Sequence, residues 1–372
     1  MAGSLLQRRP DVGDRAAGAL LGVALGIHLE HAAPNAPASL AGLERRARAA
    51  TRGTPDLDDL VGHGELLCGL VPLALAHLRD EAGLVAATRR LTAVQYLDIA
   101  AREDVVEWCV AVQEAVRGAR LHPSLQRMAA ARHDLLASDL VGLLTVAARS
   151  GGSPGRALQV GALAGGRWGA SAVPFGWRRA LDRQIPRLSG RLVRLGMLAV
   201  NAGAPVEESW PLVPMLAGPR LGQEPFLHAL DEDPGLVLGN RAALPEAVAE
   251  VDAVVSLCLV DADEVPGRLE HHEVVLVDRA DAAANPNLPL VLADTAAAIA
   301  TLRDEGKRVF VHCLAGRSRT PTVVAAYLAA RTGLAGPDAF ARVAAQVPHP
   351  DPLNRAFQEA LERLRPPQTG AD

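Results

Sequence analysis

The chain has 372 residues, more than the usual single domain of about 100–200 residues, so we expect two or three domains. Hydrophobic residues make up 49% of the sequence and charged residues 22%, a mixture typical of globular proteins. The formal net charge of −4 gives the whole chain no basic field. Composition therefore argues against nucleic acid as a partner.

The N-terminal region has an apolar run over residues 16–27 that follows Arg8 and Arg9, an order that also occurs in export signals. Asp11 and Asp14 stand between the arginines and the run, and the run is shorter than the ~20 residues that cross a bilayer. The cysteines are widely spaced and form no C-x-x-C pair, a pattern that favours reduced thiols. We expect a cytoplasmic protein without a membrane partner.

The sequence of residues 11–200 predicts helices throughout. This region is rich in Ala and Leu, shows no strand-like alternation, and breaks at clusters such as HAAPNAPAS and RSGGSPGR. Glycines 18, 22 and 26 recur every four residues and so lie on one helix face, where they let a second helix approach closely. We expect an all-α domain here.

The second half of the chain begins with a proline- and glycine-rich segment, residues 201–232, which we interpret as a linker. Strand-like and helix-like runs then alternate. The predicted strands are LVLGN, AVVSLCLV, EVVLVD and RVFVHC; the predicted helices are LPEAVAEV, residues 290–305 and the stretch from Thr320. This alternation predicts an α/β domain with a mainly parallel sheet over residues 233–366.

The stretch VFVHCLAGRSRTPTVV places a short turn between a buried strand and a helix. The carboxyl ends of parallel strands are where α/β sheets bind ligands, and the unpaired amides of a helix N-terminus favour anions, phosphate above all. A glycine in the turn lets an anion approach closely. The predicted phosphate-binding residues are Leu314, Ala315, Gly316, Arg317, Ser318 and Arg319.

Cys313 begins this turn, and Arg319 follows it six residues later. The amides of a helix N-terminus stabilise a thiolate, which makes a cysteine there a nucleophile. The planar guanidinium of an arginine can bind two phosphate oxygens at once. The pair therefore predicts hydrolysis of phosphate monoesters through a cysteinyl-phosphate.

These residues resemble the H-C-x-x-x-x-x-R-[ST] signature of the protein-tyrosine phosphatase superfamily, and VHCLAGRSRTPTVVAAYL is most similar to its dual-specificity branch. The resemblance implies that Cys313 is the nucleophile and Arg319 the phosphate clamp. It also implies that His312 orders the loop and that Thr320 helps the thiolate to leave. The implied substrate is a phosphorylated protein or a small phosphorylated ligand, and we expect neither a metal nor another cofactor.

The expelled oxygen needs a proton from a general acid. The resemblance places this acid on an Asp that follows a strand, and EVVLVDRADAAANPNL offers two. Position at the end of the predicted strand favours Asp278, whereas spacing to Cys313 favours Asp281. Both residues remain candidates.

Two segments of the N-terminal half resemble ADP-ribosylglycohydrolases: DRAAGALLGVALGIHLE is similar to their opening helix, and GGSPGRALQVGALAGGRWGASAVPFGW to their late metal-binding segment. Ser153, Pro154 and Gly155 stand where that family has metal-binding aspartates, and Ile27 stands where its first helix ends in Asp. These residues lack the carboxylates that hold hard divalent cations. We expect a shortened, metal-free and inactive relative over residues 11–200.

A function of another class stays open beside the phosphatase. The turn could capture an anion without turnover, and the chain would then be a non-catalytic regulatory module for a phosphate or ADP-ribose-type ligand. Hydrolysis of an aryl phosphate by the wild type and by Cys313→Ser separates the two hypotheses.

Overall fold

A computed structural model of the chain describes residues 10–30, 36–52, 66–94, 99–118, 140, 155–200, 224–258, 260, 263–280, 282–348, 350 and 354–364. The chain divides into two compact units, Met1–Ser209 and Trp210–Asp372. The boundary falls inside the segment predicted as a linker.

The first unit is helical in every described segment, as predicted. Its helices are α1 (Pro10–Glu30), α2 (Ala36–Ala50), α3 (Leu66–Ala76), α4 (Glu81–Val94), α5 (Ile99–Arg117), α6 (Arg156–Trp168), α7 (Phe175–Gln184) and α8 (Leu188–Val200). Buried Leu, Val and Ala side chains from these helices form its core.

The glycine face of α1 packs directly on α6. A Cβ atom at Gly22 would lie 1.8 Å from the carbonyl oxygen of Gly161, and one at Gly18 would lie 2.2 Å from that of Gly165. Backbones can approach this closely only where no side chain intervenes. The packing role predicted for this face is confirmed.

Helix α1 also contains the apolar run of the N-terminus. Within the described residues, Val12–Glu30 is a helix whose length and hydropathy would suffice to cross a membrane, and 78% of its most apolar window is buried in the unit. The helix is longer than the apolar run because it extends beyond the run at both ends, so the length of the run does not exclude a membrane span, contrary to expectation. Such burial is what the core helix of a bundle shows.

The second unit is built on a five-stranded sheet in the order β1-β2-β5-β3-β4. The strands are β1 (Leu227–Leu230), β2 (Asp233–Asn240), β3 (Ala253–Ser256), β4 (Glu270–Glu273) and β5 (Val309–Cys313). The pair β1-β2 is antiparallel, and the other three pairs are parallel. The sheet is therefore mixed, with an antiparallel edge strand on the mainly parallel sheet that was predicted.

Helices flank this sheet: α9 (Leu244–Ala247), α10 (Leu288–Asp304), α11 (Arg319–Thr332), α12 (Gly336–Ala344) and α13 (Arg355–Arg363). Helix α9 is shorter than predicted, and α12 was not predicted. All five residues of β5 are buried, which suits its position between β2 and β3. Phe310 packs with Val237 and Val254 from those neighbouring strands in the core on one face.

Two strand predictions were wrong. Strand β1 lies inside the predicted linker, and the Asn240 side chain bonds the main chain at Glu224 and Phe226, so the sheet domain starts before residue 233. Strand β4 begins three residues before the predicted run EVVLVD and shares Glu273 with it. Its partner β3 ends at Ser256, whose carbonyl accepts one further hydrogen bond, from the N–H of Val274 at 2.9 Å. Residues 274–277 are buried without joining the ladder.

Candidate active site

The predicted turn lies at the carboxyl edge of the sheet, between the end of β5 at Cys313 and the start of α11 at Arg319. The Cys313 side chain is buried, with 1% of the residue exposed. The N–H of Gly316 donates a hydrogen bond to its Sγ at 3.2 Å. The loop thus wraps around the sulfur and places a main-chain donor on it.

Gly316 meets two conditions that another residue would not. Its φ is +71°, in the left-handed region that favours glycine. A Cβ there would lie 3.1 Å from the carbonyl oxygen of Gly239 on β2. The carbonyl of Leu314 accepts a hydrogen bond from the N–H of Arg241 at 3.3 Å, so the loop is also held to the end of β2.

Arg319 is 4% exposed and is anchored through one of its terminal nitrogens. Nη1 donates to the carbonyl oxygens of Leu257, at 2.6 Å, and Leu276, at 3.3 Å. Nε is buried without a hydrogen-bond partner and lies 3.6 Å from Oδ2 of Asp278. The guanidinium is thus positioned at the loop with a donor still to be satisfied, as an anion-binding arginine requires.

Asp278 contacts the loop directly. Its Oδ1 accepts hydrogen bonds from Oγ of Ser318 and from Nδ2 of Asn354, both at 2.9 Å. Asn354 also caps α13, where its side chain accepts a hydrogen bond from the N–H of Phe357. Asn directly before a helical pattern is a common capping signal, but Asn354 was not among the predicted site residues. Asp281 lies outside the described residues, so the choice between the two aspartates stays open.

His312 is fully buried beside the nucleophile position. Its Nε2 lies 2.8 Å from Oγ of Ser256, and its ring stacks on Phe310 with centroids 5.1 Å apart. Burial lowers the pKa of His312 to about 3, although a backbone hydrogen bond with Cys313 acts in the opposite direction. The ring is therefore neutral near pH 7. Ser256 was not among the predicted site residues.

Thr320 and Cys258 complete the described surroundings. The Thr320 hydroxyl donates to the carbonyl of Gly239 at 3.3 Å, so its proton is engaged there, and its predicted part in thiolate departure stays a prediction. Burial raises the pKa of Cys258 to about 12, with the charge of Arg319 acting in the opposite direction. Cys258 is therefore a thiol at neutral pH.

In the helical unit, a carboxylate contacts the segment that the sequence analysis compared with a metal-binding segment. Glu30, at the end of α1, accepts hydrogen bonds from the N–H of Gly155, at 2.7 Å, and from that of Ala157. Its carboxylate thereby satisfies amides at the start of α6. Ile27 is fully buried, whereas Ser153 and Pro154 lie outside the described residues. Across the described part of the chain, no group of three or more His, Cys, Asp or Glu residues could hold a metal ion.

Residues 247–364 match the family model described as dual specificity phosphatase, catalytic domain. The matched segment contains the loop from Cys313 to Arg319 together with Asp278 and Asn354. The C-terminal part of the chain thus carries a domain of cysteine-based phosphatase type. No curated protein matches the chain.

Several solved structures are similar to about a third of this chain. Human DUSP28 is 27% identical over 37% of this chain and 91% of its own, with a TM-score of 0.33. Tk-PTP in the active form is 24% identical over 35% and 92%, with a TM-score of 0.30. DUSP15 is 23% identical over 38% and 86%, with a TM-score of 0.30. No comparison bears on the resemblance of residues 11–200 to ADP-ribosylglycohydrolases.

Proposed function

We propose that the C-terminal domain hydrolyses phosphate monoesters through a cysteinyl-phosphate intermediate. The observation that carries the proposal is the pairing, around one loop, of a main-chain donor on Sγ of Cys313 with a buried, incompletely bonded guanidinium at Arg319. The first orients the sulfur within the loop, and the second favours a phosphate group next to it.

The reaction has two steps. The Cys313 thiolate attacks phosphorus, so that a P–S bond forms and the P–O bond to the leaving group breaks, while a general acid protonates the departing oxygen. Water then attacks the cysteinyl-phosphate and gives a proton to the now ionised general acid. The P–S bond breaks, and inorganic phosphate leaves with the thiolate and the acid regenerated. Arg319 and the loop amides offset the charge that develops on the phosphoryl oxygens in both steps.

The proposed substrates are phosphorylated proteins or small phosphorylated ligands in the cytoplasm. The loop amides and Arg319 recognise only the phosphate group, which all these substrates share. A panel of phosphopeptides, phosphoinositides and nucleotide phosphates, compared by kcat/KM, would identify the class. Cell fractionation would test the location.

The main test compares the wild type with Cys313→Ser on an aryl phosphate. We expect the variant to lose turnover and to keep binding inorganic phosphate, because the amides and Arg319 remain. Cys109→Ala is a matched control that removes a buried thiol from the helical unit and should leave kcat unchanged. Equal inactivity of wild type and Cys313→Ser, with phosphate binding in both, would contradict turnover and favour the non-catalytic module.

A second test assigns the proton donor between Asp278 and Asp281. Each residue is changed to Asn and assayed on one aryl phosphate with a poor leaving group and one with a good leaving group. Loss of the general acid should slow the poor substrate by about 10²–10⁴-fold and the good one far less, because only a basic leaving oxygen needs the proton. Wild-type rates in both variants would refute the proposal that either aspartate is the acid.

For the helical unit, we propose a packing role without glycohydrolase activity. Support comes from Glu30, whose carboxylate bonds the amides of Gly155 and Ala157 at the segment that resembles a metal site. Release of ADP-ribose from a modified arginine or serine, if it depended on magnesium, would overturn this proposal.

A further inference from the structure

A chain of three polar side chains crosses the sheet toward the nucleophile. Ser256 on β3 lies directly opposite His312 on β5, and its Oγ is 2.8 Å from His312 Nε2. The same oxygen is 2.9 Å from Nε2 of His271 on β4, the strand on the other side. One hydroxyl therefore joins two imidazole rings from its two neighbouring strands.

The His312 ring has a single proton to place. It is neutral because its burial lowers its pKa to about 3. A neutral imidazole carries hydrogen on one nitrogen and a lone pair on the other. Nε2 faces Ser256, and Nδ1 lies 4.0 Å from Sγ of Cys258, at the long limit for a hydrogen bond to sulfur. The backbone hydrogen bond with Cys313 therefore falls to Nδ1, and that bond raises the pKa of His312, as a bond donated by the ring does. The proton then lies on Nδ1, and Nε2 must accept.

This tautomer sets the direction of the whole chain. Ser256 has one hydroxyl hydrogen, which it donates to His312 Nε2, so its oxygen must accept from His271. The hydrogen bonds thus run from His271 Nε2–H to Ser256, and from Ser256 O–H to His312. Ser256 and His312 are fully buried, where an unmade hydrogen bond is costly and the direction is strongly preferred.

We propose that His271 and Ser256 are positioning residues for the phosphate loop, because their hydrogen bonds hold His312 in the tautomer that donates to the main chain of Cys313. This inference rests on the proposed phosphatase function. Without the His271 donor, the Ser256 oxygen is free to accept a hydrogen bond from His312, whose proton can then move to Nε2. The bond from the ring to Cys313 would then be lost, and the loop would lose one of its restraints.

The test replaces His271, which is only partly buried, while the nucleophile and the loop stay intact. His271→Phe keeps a planar ring and removes the N–H donor, and we expect kcat on an aryl phosphate to fall about tenfold, the equivalent of one hydrogen bond, with KM unchanged. His271→Gln places an amide N–H where Nε2 was and should restore kcat to within about twofold. Ser256→Ala should match His271→Phe.

His272→Phe is the matched control. This neighbour on β4 has its Nε2 2.8 Å from Oε1 of Glu270, and successive side chains of a strand point to opposite faces of the sheet, so its replacement should leave kcat unchanged. Thermal melting of every variant shows whether packing alone has changed. A His271→Gln variant as slow as His271→Phe would overturn the proposal, because the ring and not its N–H would then matter. So would a wild-type kcat in His271→Phe.

A readout that does not depend on turnover is the tautomer itself. Two-dimensional ¹⁵N NMR of labelled imidazoles should show His312 protonated on Nδ1 in the wild type and on Nε2, or as a mixture, in His271→Phe. Protonation on Nε2 in the wild type would overturn the proposal. A wild type with the expected tautomer and no hydrolysis of aryl phosphates would overturn the phosphatase function and leave the hydrogen-bond chain standing.

Discussion

Replacement of Gly316 by Ala tests whether the loop must pass as close to β2 as the structure shows. A Cβ at this position would lie 3.1 Å from the Gly239 carbonyl oxygen, where ordinary contacts begin at 3.4 Å, so the loop must move by about 0.3 Å. If a misplacement of 1 Å costs about 100-fold in rate, this shift costs about fourfold. The left-handed φ of +71° adds a strain of about 1 kcal/mol to the folded state.

Gly333→Ala is the matched control for Gly316→Ala. Gly333 follows α11, has a φ of +74°, and would place its Cβ in open space. Both variants should therefore lose about 1 kcal/mol of stability in urea denaturation, because both incur the left-handed strain. Only Gly316→Ala should lose kcat/KM on an aryl phosphate, by about fourfold. Equal kcat/KM in the two variants would refute the contact with β2 as a determinant of loop geometry.

Two further predictions concern stability. Gly22→Ala would press a Cβ against the Gly161 carbonyl and should destabilise the helical unit by about 3 kcal/mol. Gly13→Ala on the same helix meets only an ordinary contact and should stabilise the unit by up to about 1 kcal/mol. Equal urea midpoints for the two variants would contradict the close helix contact. The pKa of His312 is about 3 in the folded chain and about 6.5 in the unfolded chain, so the unfolded chain takes up the imidazole proton at a higher pH. The free energy of unfolding should therefore fall from pH 6.5 toward pH 3, with a slope of up to about 1.4 kcal/mol per pH unit. His312→Gln should lack this contribution, and an unchanged slope in that variant would refute the buried neutral ring.

The candidate site divides into residues that lie together in the sequence and residues that do not. Cys313, Gly316 and Arg319 could be predicted because a strand, a turn and a helix within one short stretch place them around one point. Asp278 could be predicted as one of two candidates from its place after an apolar run. Ser256 could not, because it meets His312 across a separation of 56 residues and only the strand order makes them neighbours.

Asn354 illustrates a contact that is local in one respect and distant in another. Its role as the cap of α13 is readable from its position before a helical pattern. Its hydrogen bond to Asp278 spans 76 residues and depends on where α13 packs. A side chain's type and local position predict what it can bond, and the fold alone decides which partner it meets.

The local features of this protein can be predicted from its sequence: the helical first half, the alternation of strands and helices in the second, the glycine face of α1, and the loop between Cys313 and Arg319. Each depends on periodicity or turn chemistry within a few residues. Three features follow only from the folded arrangement: the strand order, the start of β4 ahead of its predicted run, and the hydrogen-bond chain from His271 to His312. These depend on which strands pair, and pairing is set by contacts between residues far apart in the chain.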